Sequence, residues 1–492
     1  MLGPYTLSVD GRRLYGGVSL KEHHVVRRDE ACFVLIVDDM TVAPIDPALA
    51  DGISRLAFMP GTLVPERLMH ALQAAGLVAE DQAGPAAAPE DLCGHEDAAT
   101  PGRSSPGAVG NLALFLTQSC NLACSYCYGD SGTYGGGGLM SSETGRAAVD
   151  WLLASSGDAR ELRIGFFGGE PLLNLPVLQE VVAYARGRTA ACGKEVSFSI
   201  TTNATLIDDD VAVYLAAERI RPLVSCDGPP EVHDRQRPFK DGRGSHAEVV
   251  AAVQRLRPAF PDLRGRATVY GHTDPFAVRR GLDEAGFARH SVFLASPVVL
   301  HEDGCCREQV EREEQVARML AYRRAESAGL FAAIARRAFD PAKPPAEVLE
   351  LDKLAVRRKR HYGCGVGRGL RAVSVDGGIY PCHRFVGLEE FRMGDVGGRP
   401  AEGPTDYHRA VVQNLPACRA CWARHFCGGG CFYDNLGRTG DMHRADPLFC
   451  EQTRTLFEDI VAGWCRLSDD DRAYVRDMIE RAKPNGADEA RP

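Results

Sequence analysis

Cys120, Cys124 and Cys127 stand as Cys-x3-Cys-x2-Cys within eight residues, and no other feature limits the possible folds as much. Three thiolates hold three irons of a cubane cluster, whereas a cluster held by protein alone normally takes four. The missing ligand leaves one iron open to a small molecule. The same spacing also suits a zinc knuckle with a distant fourth ligand. The chain has 17 cysteines, and its opening residues, Met1-Leu2-Gly3-Pro4-Tyr5, lack the basic and apolar regions of a signal peptide. Reduced thiols in a cytoplasmic protein are therefore expected, and a disulfide framework is a poor explanation.

Composition excludes other classes. With 45% hydrophobic and 25% charged residues over 492 positions, the chain can bury a large core. A net charge of −9 argues against generic nucleic-acid binding. No apolar run reaches the ~18–20 residues of a membrane span, so no membrane partner is expected. Residues 1–78 read as a small α+β unit with strands over 31–37 and 40–44, then helices over 47–57 and 65–75. A linker rich in Ala, Pro, Gly and Ser is expected over 79–110. From 111 to 306, apolar runs at 112–117, 162–167, 196–201, 222–226, 266–270 and 292–297 alternate with helical stretches. That alternation predicts an α/β parallel sheet, open or curved into a barrel. A helical bridge is expected over 307–360, a Gly- and Cys-rich unit over 361–465, and a C-terminal helix and tail over 466–492.

The segment Thr117 to Tyr128, with its three cysteines, resembles the cluster loop of the radical S-adenosylmethionine (SAM) superfamily. The resemblance extends to Gly168-Gly169-Glu170-Pro171 after the second strand, where the family receives the amino group of SAM. It continues through Thr201-Thr202-Asn203, Ser225-Cys226-Asp227-Gly228-Pro229 and His233-Asp234-Arg235-Gln236-Arg237. It implies a partial (β/α)6 barrel in which Cys120, Cys124 and Cys127 hold a [4Fe-4S] cluster that chelates SAM. By the same resemblance Tyr126, Gly168, Gly169, Glu170, Thr202, Asn203 and Ser225 bind the cofactor. Arg237, in preference to Arg235, meets the SAM carboxylate, since a guanidinium fork suits that anion. Asp227 is either a turn-capping carboxylate or a substrate-facing acid/base. One-electron cleavage of SAM is implied to give a 5′-deoxyadenosyl radical that abstracts hydrogen, with flavodoxin or ferredoxin as an external electron donor.

Seven more thiols, Cys364, Cys382, Cys418, Cys421, Cys427, Cys431 and Cys450, resemble the SPASM extension of radical SAM peptide maturases. The family pattern implies that Cys418, Cys421, Cys427 and Cys450 close one auxiliary cluster. Cys364, Cys382 and Cys431 would give three ligands to another, making three [4Fe-4S] clusters in all. The stretch Gly365–Leu370 lacks the fourth thiol that some relatives carry. Either another cysteine, with Cys305 and Cys306 foremost, completes that cluster or its iron is open to a substrate thiolate. A zinc ribbon is the plain alternative.

The opening unit resembles the peptide-recognition domains of ribosomal-peptide maturases, which take a leader along a strand edge; a dimerisation module is the alternative. The glycine-rich stretch Cys127-Tyr128-Gly129 through Met140 resembles thioether-forming maturases, among them the quinohemoprotein amine dehydrogenase type. The expected activity is thus cross-linking of a Cys sulfur to carbon in a peptide or small protein bound through the N-terminal domain. Carbon–carbon cyclisation, formylglycine formation and a non-catalytic metal module remain open.

Overall fold

The computed structural model describes residues 5–9, 12–16, 18–58, 62–79, 108–296, 312–341, 344–398, 407 and 411–482. The expected linker and tail, and Cys93, Cys305 and Cys306, lie largely or wholly outside these residues.

The N-terminal unit contains strands Tyr5–Val9 (β1), Arg12–Gly16 (β2), His23–Arg28 (β3), Ala31–Ile36 (β4) and Thr41–Ile45 (β5). Helix Pro47–Phe58 (α1), the short strand Val64–Pro65 (β6) and helix Glu66–Ala74 (α2) follow. They form two three-stranded sheets, β1-β2-β6 and β3-β4-β5. The hairpin β4–β5 and both helices match the expected elements; β1, β2, β3 and β6 were not foreseen. The segment His23-His24-Val25-Val26-Arg27-Arg28 has four basic side chains in six, which hides its strand character. Two of them find partners far along the chain, on helix Pro447–Arg466: Arg28 pairs with Glu458 and Asp459, and His24 with Glu458.

Six parallel strands follow in chain order: Asn111–Thr117 (β7), Glu161–Gly168 (β8), Glu195–Thr202 (β9), Ile220–Ser225 (β10), Arg264–Val269 (β11) and Arg289–Leu294 (β12). Between them run helices Ser142–Ser155 (α3), Leu175–Ala191 (α4), Asp209–Ala217 (α5), Pro230–Gln236 (α6), His246–Leu256 (α7) and Pro275–Glu284 (α8). Neighbour order equal to chain order means each crossover steps the same way, which curls the sheet into a partial barrel. Outward side chains such as Leu162, Ile164 and Phe166 of β8 are sealed under the helices. The local signals are ordinary ones: Asp208 caps α5 by accepting from Val211 N, and Asp274 caps α8.

After helices Arg312–Ala335 (α9), Ala346–Leu349 (α10) and Asp352–Ala355 (α11) come strands Leu370–Val373 (β13), Gly378–Tyr380 (β14) and Gly394–Asp395 (β15). The hairpin β13–β14 sits where the Asp376-Gly377 turn predicts it. The sequence does not show its next contact: β13 pairs in parallel with β7, from Leu370↔Asn111 to Val373↔Leu114. The Cys-rich unit thus extends the barrel sheet to nine strands. Helices Pro416–Arg419 (α12), Arg424–Cys427 (α13), Phe432–Thr439 (α14), Pro447–Arg466 (α15) and Asp469–Ala482 (α16) complete the chain. Val26, Phe33, Leu35 and Met40 of the N-terminal unit share an apolar core with Val461, Ala462 and Trp464 of α15. No described helix is long and apolar enough to cross a membrane.

One close approach fixes the barrel mouth. Gly168 has φ +130°, and a Cβ there would stand 2.0 Å from the Thr117 carbonyl oxygen. A side chain at Gly168 would therefore have to part β8 from β7. Gly168→Ala should leave little folded protein, whereas Gly193→Ala, with φ +66° and open space around it, should cost only about 1 kcal/mol. Thermal melting of the two variants checks the contrast.

Candidate active site

The loop after β7 carries the first three cysteines, and backbone bonds tie it to the end of β8. Gly169 N donates to Thr117 O and Glu170 N to Ser119 O, both at 3.0 Å. The glycines of this segment therefore serve the approach of two pieces of backbone. Glu170 was expected to face the ammonium of SAM, but it has no exposed surface. Its Oε1 accepts from Thr202 Oγ1 (2.8 Å) and Leu172 N, and its Oε2 from Asn203 N (2.7 Å). Burial pushes its carboxyl up to about 7. The Glu170–Thr202 bond ties β8 to β9.

Asn203 lies against the cysteine loop, with Nδ2 donating to Asn121 Oδ1 (2.8 Å) and lying 3.7 Å from Cys120 Sγ. Arg237 is buried beside Cys124, its Nη1 4.0 Å from the sulfur, while Arg235 is exposed. Ser225 ends β10, half-buried. Asp227, weighed above as an acid/base facing substrate, is fully buried. Its Oδ2 accepts from Tyr126 Oη (2.6 Å) and Arg237 Nε (3.0 Å), and its Oδ1 from Thr268 N (2.9 Å). With both oxygens engaged, this carboxylate orients Tyr126 and Arg237.

The ten expected ligands fall into three neighbourhoods. Burial pushes Cys120 up to about 11 and Cys124 up to about 12, and the Cys127 thiol adds to both shifts. Cys418 is pushed up to about 12 by burial and then by Cys427, Cys450 and Cys421. These four thiols line one small recess. Cys431 rises to about 11 through burial, with Asp434 and Cys364 contributing, and Cys382 rises through burial and Cys431. Cys226 and Cys465 are pushed as high by burial, yet no other thiol contributes to either shift. Grouping, and not burial, marks the candidate ligands.

Backbone amides converge on the sulfurs: those of Gly129, Ser131 and Gly132 on Cys127, Gly429 and Gly430 on Cys427, and Val366 on Cys364. Such bonds to sulfur tune iron–sulfur clusters. Among the described residues no three His, Cys, Asp or Glu side chains form a group that could hold a single metal ion. The donor set, soft thiols gathered in threes and fours under amide N–H groups, fits iron–sulfur clusters.

Between the first set and the Cys364/Cys382/Cys431 set lies a chamber. Tyr128, next to Cys127, meets Tyr433 at 5.8 Å and His383 at 6.5 Å between ring centroids. His383, next to Cys382, is pushed down to about 3 by burial and then by Arg384 and Arg266, so it is neutral. Arg384 Nη1 donates to Asp434 Oδ1 (2.7 Å) and Ser296 Oγ (2.5 Å). Tyr126, Tyr128, Arg266 and His383 are enclosed by protein yet keep accessible surface. That combination describes the lining of an internal cavity. None of Arg266, His383, Arg384 and Tyr433 was singled out from sequence; Arg384 and His383 follow Cys382 directly, the one cue available.

Comparison with known proteins places this geometry. Residues 114–275 match the Radical SAM superfamily. An uncharacterised protein of Methanocaldococcus jannaschii is 33% identical over 30% of this chain and 48% of its own length, so the chain spans about half of that relative. The serine-type anaerobic sulfatase-maturating enzyme of Bacteroides thetaiotaomicron is 24% identical over 69% of this chain and 86% of its own. Among solved structures, anSMEcpe with bound AdoMet and Kp18Cys peptide has a TM-score of 0.59 at 19% identity, covering 71% of this chain and 96% of that one. The chain carries a radical SAM domain; it is an enzyme, and its cofactors are SAM and [4Fe-4S] clusters.

Two outcomes follow from the thiol groups. Anaerobically reconstituted protein should hold roughly twelve irons with matching sulfide. Cys124→Ala and Cys421→Ala should each remove about a third of that iron. The buried thiols titrate above the ordinary value of 9.0, Cys120 near 11 and Cys124 near 12. Their contribution to the stability of cluster-free protein is present below pH 9 and is lost as pH rises toward these folded values, because the unfolded chain gives up its protons first. Thermal melts at pH 8 and pH 10 should show a larger loss for cluster-free protein than for loaded protein.

Proposed function

We propose that this enzyme is a peptide maturase that joins a Cys sulfur to a carbon of the same ribosomally made peptide or protein subunit. The observation that carries the reading is the chamber between two sets of three thiols, Cys120/Cys124/Cys127 and Cys364/Cys382/Cys431. Among the described residues no fourth cysteine joins the second set; with Cys305 and Cys306 outside them, we assign the fourth place to the substrate thiol. Cys32, Cys226 and Cys465 lie elsewhere, in or against apolar cores.

When bound, SAM and its cluster supply a 5′-deoxyadenosyl radical that takes a hydrogen atom from the substrate. The residues of the chain do the rest. Asp227 holds Tyr126 and Arg237 at the first thiol set, and Arg237 is the group we assign to the SAM carboxylate, with Ser225 and Asn203 beside it. Glu170 and Thr202 keep the strand ends in register. Tyr128, Phe167 and His383 form an aromatic wall that keeps water from the reacting carbon.

The N-terminal unit supports a peptide substrate. Its sheet order β3-β4-β5 leaves β3 and β5 as edge strands, and β5 is blunted by Pro44. We assign the leader segment to the β3 edge. His24 of β3 stacks on Trp422 at 4.0 Å, one residue from Cys421, so a leader there would lie beside the auxiliary thiols. The anSMEcpe structure, similar in fold, holds a peptide.

The test is anaerobic incubation of reconstituted enzyme with SAM, a reductant and a Cys-containing peptide encoded beside the gene. The expected product is lighter by two hydrogens per cross-link, and its cysteine no longer alkylates. A peptide that loses two hydrogens with its thiol still free would assign carbon–carbon cyclisation instead, and an aldehyde would assign formylglycine formation.

A further inference from the structure

Alternation along the barrel strands divides their side chains into two populations. On β11 the residues Gly265, Ala267 and Val269 are buried, while Arg266 and Thr268 between them keep accessible surface. Ala267 and Val269 belong to the core under the helices, so Arg266 and Thr268 point into the barrel. Several neighbouring inward positions are small and hydroxylic, Ser199 and Thr201 on β9 and Ser225 on β10, the last in register with Arg266. A barrel interior is usually filled by large side chains. Here the Arg266 guanidinium stands beside Ser225 and over Phe293.

Three arginines surround the chamber, and two have a carboxylate. Arg237 pairs with Asp227 and Arg384 with Asp434. Arg266 has none among the described residues. Its guanidinium rests over the Phe293 ring, 4.8 Å from the centroid. Its charged neighbours are the like charges of Arg384 and Arg237. An enclosed cation without a carboxylate partner loses hydration that the Phe293 ring offsets only in part. The guanidinium fork is the geometry that meets a planar anion at two points. One unmatched positive charge balances a monoanion, which favours a carboxylate over a phosphate dianion.

We infer that Arg266 is the substrate-recognition residue of the chamber and that it receives a carboxylate carried on an alkyl arm of the substrate, a role separate from the SAM carboxylate. The inference takes the peptide-maturase reading for its preferred source, an acidic side chain of the peptide. Its chemistry is independent of that reading, since a small free acid would meet the same guanidinium.

The experiment is isothermal titration of SAM-loaded holoenzyme with three probes: N-acetylglutamate N-methylamide, its glutamine counterpart, and glutarate. The capped glutamate should bind at least about tenfold more tightly than the capped glutamine. Arg266→Gln should erase that difference and Arg266→Lys should restore part of it. The melting temperature should not fall, and SAM affinity should stay within about twofold of wild type. Tighter binding of the capped glutamate than of glutarate assigns the carboxylate to a peptide residue, and the reverse assigns it to a free acid; both place it on Arg266. Equal binding of acid and amide by wild type overturns the inference. So does retained preference in Arg266→Gln, or a collapse of SAM affinity in that variant, which would put the cofactor on Arg266. Iron content and 5′-deoxyadenosine formation, read on the same preparations, report separately on the radical SAM site.

Discussion

The parallel pairing of β13 with β7 joins two halves of the chain that are more than 250 residues apart in sequence. Leu370 beside Asn111 makes the Cys-rich unit an extension of the barrel sheet instead of a separate lobe. The turn that follows then delivers Cys382, His383 and Arg384 opposite Tyr128 and Phe167 at the barrel mouth. Without this ladder the two sets of three thiols would have no common cavity. The cost of closing so long a loop grows only slowly with its length. It is offset by a shared core in which Phe115, Ala372, Tyr380 and Tyr433 pack together.

Burial sets the electrostatics of everything inside that junction. Thiols, a carboxyl and an imidazole are all moved toward their neutral forms: Cys124 up to about 12, Glu170 up to about 7, His383 down to about 3. Such an interior accepts charge only where a partner matches it. Asp227 with Arg237 and Asp434 with Arg384 are matched pairs. The thiol sets are matched when iron displaces their protons. Arg266 has no carboxylate partner among the described residues, which is why it carries the recognition argument.

The sequence disclosed what is local. The three-cysteine spacing, the Gly168-Gly169-Glu170 turn and the Asp376-Gly377 hairpin each depend on a few adjacent residues. The strand stretches at 112–117 and 162–167 lie within Asn111–Thr117 and Glu161–Gly168. Helices Pro230–Gln236 and Pro275–Glu284 went unread, the first because its run His233–Arg237 reads as a motif instead of an amphipathic face. The role of Asp227 was open in the sequence because capping and catalysis use the same side chain; its bonds to Tyr126, Arg237 and Thr268 are visible only in the fold. Arg266 looked like one more arginine on a strand. Its isolation depends on which residues surround it from β10, β12 and the Cys382 loop, and no sequence spacing records that.

The central claim is that Cys120, Cys124 and Cys127 present a cluster with one iron open to SAM. Electron paramagnetic resonance of the reduced, reconstituted protein tests it most directly. With the two auxiliary thiol sets disabled by substitution, the remaining [4Fe-4S] signal should change in g-values when SAM is added, because the amino acid moiety of SAM would bind the open iron. A signal indifferent to SAM, in protein whose iron and sulfide match one cluster, would contradict the account.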